Sequence, residues 1–70
     1  MVLGGEKMNL KKLRENRELT QYKLSKISGI PQPSIFRIEK GLQNPGADIV
    51  IKLCDALGCT ADELLGRKSE

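Results

Sequence analysis

Between Leu19 and Gly41 the chain reads LTQYKLSKISGIPQPSIFRIEKG, and this stretch restricts the fold more than any other. Two short amphipathic segments flank Gly29. In the first, Leu24 and Ile27 recur at helical spacing; in the second, Ile35 and Ile38 do. The spacing predicts helices over 21–28 and 32–40 with those four side chains inward. Thr20 can cap the first helix, and Gly29 and Gly41 can end the two by taking the left-handed conformation. Each helix is too short to hold without tertiary contacts. The pair must therefore dock on a larger helical body.

The rest of the chain supplies that body. Leu10 and Leu13 share one face of a helix expected over 9–17, with Asn9 as its cap. After the turn Asn44-Pro45-Gly46, residues 47–57 carry Ile49, Val50, Leu53, Cys54 and Leu57 in a broad apolar stripe. Asp48 falls in the first turn of that helix, where its dipole favours a negative charge. Gly58 stops it. Thr60 and Glu63 have the spacing of a capping box, and Leu64 and Leu65 give a short fifth helix an apolar side before Gly66. Residues 1–8, with two glycines and no periodicity, read as a flexible arm, and 67–70 as a flexible tail. The expected architecture is all-α: one compact five-helix domain over 9–66, with no strand.

Seventy residues leave no room for a second layer around a deep catalytic cleft. There is no histidine, no glycine-rich phosphate loop and no paired nucleophile and base, so the chain reads as a non-enzyme without cofactor. Cys54 and Cys59, the two cysteines, fall short of the four ligands of a structural zinc site, so no metal is expected. No apolar run spans a membrane and no secretory signal stands out. The cytoplasm, with both thiols reduced, is the expected compartment.

The net charge is +3, but its distribution is more telling than its size. Residues 1–40 carry nine bases and four acids; residues 41–70 carry three bases and five acids. The half with the glycine-linked helix pair is thus the cationic half, as contact with phosphates requires. A helix pair of this layout is a helix-turn-helix, which lays its second helix in the major groove of DNA. The polar face of that second helix suits the task. Gln32 can donate and accept together, matching adenine N6 and N7, and Arg37 can bond guanine O6 and N7 in bidentate fashion. Phe36 can press on a thymine methyl, face a partner, or be partly buried. The Tyr22 hydroxyl can bond a phosphate, or the ring can simply cover its helix. Ser25 falls where the two helices cross, so a small side chain is required there.

Residues 9–66 resemble the lambda-repressor-like, Cro/cI-type helix-turn-helix family, also called the XRE family. The resemblance lies in LKKLRENRELTQYKLSKISGIPQPSIFRIEKGLQNP and IVIKLCDALGCTADELL, with matches in register across all five helices. It implies roles residue by residue. Gln21 matches the family glutamine that bonds a phosphate and braces the recognition helix. Gln32, Pro33, Phe36 and Arg37 match positions facing base edges. Ser34, Lys40 and Asn44 match positions near the sugar-phosphate wall. Arg14 and Glu39 match a structural salt bridge between the first and third helices. The chain departs from the pattern at Pro31, where a capping serine or threonine is usual, and at Pro33. The two prolines can stiffen the start of the third helix or shift it toward Ser34, and weaker direct readout is expected beside Pro33.

The resemblance implies a sequence-specific regulator of transcription, a repressor bound to double-stranded DNA as a homodimer. One recognition helix covers only a few base pairs, and a symmetric second half-site raises affinity and specificity together. With no other free apolar surface expected, the dimer seam falls on Cys59, Ala61, Leu64 and Leu65. The same fold also serves antitoxins and antirepressors, whose main ligand is a partner protein.

Overall fold

Five helices, α1 (Leu10–Asn16), α2 (Gln21–Ser28), α3 (Gln32–Lys40), α4 (Ala47–Leu57) and α5 (Ala61–Leu65), make up the computed structural model of the chain, which describes residues 9–66. No strand occurs among the described residues. The arm expected over 1–8 and the tail over 67–70 lie outside them. The architecture is all-α.

α2 packs on α3 and on α4, α4 on α5, and α1 closes the body by touching α3 and α5. Leu10, Leu24, Ile30, Ile35, Ile38, Leu53, Leu57 and Leu64 meet in the interior, so every helix contributes to one core. Burying each such side chain contributes roughly 1.5–3 kcal/mol before ordering costs. Leu13, Leu19, Ile49, Val50, Cys54, Ala56 and Cys59 pack around this centre, partly buried.

One core assignment made from spacing is corrected, and one core residue that spacing did not mark is added. Ile27 is 54% exposed, whereas Ile30, in the turn, is buried. The inner face of α2 runs through Gln21, Leu24, Ser25 and Ser28. Serines occupy the positions beside Leu24, which leaves Ile27 outside. They also fix the turn: Ser25 Oγ donates to the Ile30 carbonyl, and Ser28 Oγ accepts from the Ile30 amide. Gly29 supplies the left-handed link at φ 78°. Ile30 is thereby held with its side chain inward.

The helix ends follow the sequence signals with one exception. Thr20 Oγ1 accepts from the Lys23 amide, and Thr60 and Glu63 form a reciprocal capping box. Asn9, expected to cap α1 with its side chain, does not. Its amide instead donates to the Glu63 carbonyl at 3.1 Å, and its backbone N–H donates to the Leu64 carbonyl at 2.8 Å. Asn9 thus ties the start of α1 to the unsatisfied carbonyls at the end of α5. Arg17 does the same for α4: its Nε donates to the Leu57 carbonyl, placing a cation at the negative end of that helix.

α3 begins at Gln32, not at Ser34. Pro31 has no side-chain cap to give, but its carbonyl accepts from Ser34 N at 3.0 Å and Ile35 N at 3.2 Å. Pro33 lies in the first turn, where a helix has no use for its missing N–H.

Candidate nucleic-acid interface

α3 has one buried face and one open face. Ile35 and Ile38 are in the core, while Gln32, Pro33, Phe36, Arg37 and Lys40 are exposed. Ser34 is half-buried. The helix is held in this rotation from below by Glu39. Arg14 Nε donates to Glu39 Oε2 at 2.6 Å and Arg14 Nη2 donates to Oε1 at 3.1 Å. Gln21 Nε2 donates to the same Oε1 at 3.0 Å. The Arg14 and Glu39 side chains retain only 10% and 5% of their exposure. Arg14 Nη1 also donates to the Leu19 carbonyl at 2.7 Å, fastening the turn between α1 and α2. The bond to Glu39 holds the Arg14 guanidinium above its ordinary pKa, against the opposing effect of burial. One carboxylate therefore joins α1, α2 and α3.

This arrangement bears on Gln21 as well. Its side chain is half-buried and tied to Glu39, while its backbone N–H stands at the first position of α2. Helix-start N–H groups lack intrahelical partners and favour anions.

Gln21, Gln32, Pro33, Phe36 and Arg37 line one open depression, together with Leu42. Leu42 has no counterpart among the residues expected at the site. It is 70% exposed, in the turn after α3. Arg37 lies along its own helix in this structure, with Nη1 donating to the Pro33 carbonyl at 3.3 Å. A second depression, toward α1, shares Gln21 and Phe36 and is lined further by Asn9, Lys11, Lys12, Arg14, Glu15, Glu39 and Lys40. Phe36, 44% exposed, lies on the divide between the two, with Lys40 Nζ 5.6 Å from its ring centroid. Lys11 and Lys12 were also unmarked by the motif. Their only sequence signal is their position on the outward side of α1 in the basic half.

Tyr22 and Asn44 are exposed and line neither depression. The Tyr22 ring is 58% exposed, with Lys26 Nζ 5.6 Å from its centroid.

At the opposite end of the chain, the residues expected at a dimer seam divide. Ala61 is exposed, and Cys59 and Leu65 are half-buried. Leu64 is fully buried and belongs to the core of the monomer, so it has no surface to offer a partner. Nor is this end the only exposed apolar region: Ile51 is 59% exposed on α4, besides Ile27 and Leu42. No group of side chains suited to hold a metal ion occurs among the described residues. No helix there is long and apolar enough to cross a membrane.

A helix-turn-helix family profile matches residues 10–64. An uncharacterised HTH-type transcriptional regulator of Haemophilus influenzae is 43% identical over 47 residues, which is 67% of this chain and 48% of that protein. Another from Mycobacterium tuberculosis is 32% identical over 54 residues, covering 77% of this chain and 39% of its own length. The chain thus spans less than half the length of these relatives. Among solved structures, the restriction-modification controller protein C.AhdI of Aeromonas hydrophila superposes with a TM-score of 0.77 at 30% identity, covering 80% of this chain and 85% of that one. By sequence profile and by fold alike, the chain belongs to the lambda-repressor-like, XRE-type helix-turn-helix family.

Proposed function

We propose that this chain binds double-stranded DNA in a sequence-dependent manner as a homodimer on a two-fold symmetric operator, and that it represses transcription there. The observation that carries this reading is the division of α3, with Ile35 and Ile38 buried and Gln32, Phe36 and Arg37 facing out. In the proposed mode α3 lies in the major groove. Gln32 and Arg37 read base edges, while Gln21, Tyr22, Ser34, Lys40 and Asn44 contact the backbone. The excess of basic residues in the first forty positions supports that orientation.

A homodimer repeats the reading head on a second half-site about one helical turn (~34 Å) away. Ala61, Leu65 and Cys59 form the proposed seam, without Leu64. Occupying an operator within a promoter would exclude polymerase, acting on the DNA of the cytoplasm.

Selection of bound duplexes from random DNA, followed by sedimentation of the chain with and without a recovered duplex, tests this function. An inverted repeat and a complex of two chains per duplex are expected. Recovery of sequences no different from the input pool would overturn it.

A further inference from the structure

We propose that Pro33, Phe36 and Leu42 form an apolar cleft that reads the C5-methyl groups of thymines in the DNA half-site. The inference rests on the DNA-binding reading above and assigns to it a base chemistry that hydrogen bonding alone does not give.

Three observations converge. Pro33 and Phe36 stand at i and i+3 on the open face of α3, hence on the same side of the helix. Leu42 is brought to them by the way α3 ends. Gly41 takes the left-handed conformation at φ 78°, and the Leu42 backbone N–H donates to the Arg37 carbonyl at 2.8 Å. This closure folds the residue after the glycine back against the last turn of its helix. Leu42 therefore has a fixed place at the edge of the reading face, though its side chain remains 70% exposed. All three side chains line the same depression as Gln21, Gln32 and Arg37.

The chemistry of that depression selects its occupant. A depression to which Pro33, Phe36 and Leu42 present hydrocarbon is a poor seat for a phosphate, which would be stripped of water there. It is equally poor for the amino edge of cytosine. In the major groove, the apolar feature unique to thymine is its C5-methyl group. The polar residues that share the depression, Gln21, Gln32 and Arg37, match the anionic and polar groups that flank such a methyl in a duplex. A protein partner would have to cover the same apolar side chains while satisfying these polar ones, and the basic charge of this half of the chain favours the polyanion.

The test uses the full chain and a duplex recovered from random DNA, with each thymine replaced in turn by deoxyuridine, which removes only the methyl group. At one or two thymines per half-site, the replacement should weaken binding about fourfold, the loss associated with one buried methyl-sized group. In Leu42→Ala and Phe36→Ala the penalty at those positions should shrink toward none. Leu42 lies outside the core, so its truncation leaves the fold intact, as circular dichroism can verify.

If the selected duplex is preferred over scrambled DNA but every deoxyuridine duplex binds like its parent, the methyl reading fails while DNA recognition stands. A penalty that persists undiminished in both variants also overturns the assignment to this cleft. If no duplex is preferred, both readings fall. If Leu42→Ala changes only the self-association of the chain, the cleft is a contact between copies and the proposal is wrong.

Discussion

Arg14 and Glu39, twenty-five positions apart, meet through two hydrogen bonds of 2.6 and 3.1 Å and bind the first helix to the third. Both side chains are almost wholly buried. Glu39 also accepts from Gln21, and Arg14 also donates to the Leu19 carbonyl. Removing either partner strands a buried charge. Arg14→Ala should cost roughly 3–5 kcal/mol. Replacing the pair together with apolar residues of similar volume, Arg14→Met with Glu39→Leu, should cost less than Arg14→Ala alone. Urea unfolding of the three proteins checks the order.

Gln21 tests how rotation of the recognition helix depends on this pair. In Gln21→Ala, Glu39 keeps both bonds from Arg14, so the fold should persist with a loss near 1 kcal/mol. DNA affinity should fall by similar factors on selected and random duplexes if, as proposed, the Gln21 side chain serves a phosphate contact. Titration of both duplexes by fluorescence anisotropy measures this. A loss confined to the selected duplex would mean that Gln21 reads a base.

Glu18 takes the left-handed conformation at φ 57°, alone among the described non-glycine residues. It stands just past α1, where the Leu19 amide reaches back to the Arg14 carbonyl at 3.1 Å. Glycine is the residue this turn favours, and a side chain there costs about 1–2 kcal/mol. Glu18→Gly should therefore raise the melting temperature, by about 4–8 °C for each kcal/mol gained. Thermal unfolding followed at 222 nm decides it.

Cys59 follows the glycine at the end of α4 in the same way, with its amide bonded to the Cys54 carbonyl at 3.1 Å. Burial, and then the neighbouring Cys54 thiol, push the Cys59 thiol up to about 11 from an ordinary 9.0. The folded protein keeps this proton where the unfolded chain has lost it. Stability should therefore decline as pH rises from about 9 to about 11. Cys59→Ala should remove that portion of the decline, measured as the difference between the two proteins in urea at each pH. At pH 8, alkylation of the folded chain at Cys59 should be slow beside that of the unfolded chain.

Much of the fold is legible in the sequence because glycines and caps mark the helix ends and the apolar residues recur at helical spacing. The capping box at Thr60 and Glu63 needs no tertiary information. Ile27 faces outward, against its spacing, because spacing alone cannot say which of two adjacent stripes on a two-turn helix faces inward. That choice depends on how closely α3 crosses α2, which the serines at 25 and 28 permit. Ile30, in the turn, belongs to no periodic stripe and so carries no such signal. Asn9 was misjudged and Arg17 missed for a related reason: their acceptors, Glu63, Leu64 and Leu57, lie forty or more positions away. The polar residues on α3 could be read from the motif, whereas Leu42 could not. Its signal is the glycine before it, which folds it back onto the reading face.

Arg37 gives the sharpest separation between reading a base and merely adding charge. The guanidinium is exposed and bonded at 3.3 Å to the Pro33 carbonyl, a contact it can exchange for a base edge without disturbing the core. Arg37→Ala should leave the melting temperature nearly unchanged. It should relax preference at one base position per half-site, by about 1–3 kcal/mol if the arginine pairs in bidentate fashion with guanine. Arg37→Lys should keep the charge but lose the fork, and with it most of the discrimination. Lys40→Ala is the contrasting case. Its loss should be uniform across sequences and should lower the salt slope by about one per site. Selection from random DNA repeated with each variant, together with salt titrations, distinguishes the two. Equal loss on every duplex for Arg37→Ala would assign its side chain to the phosphates.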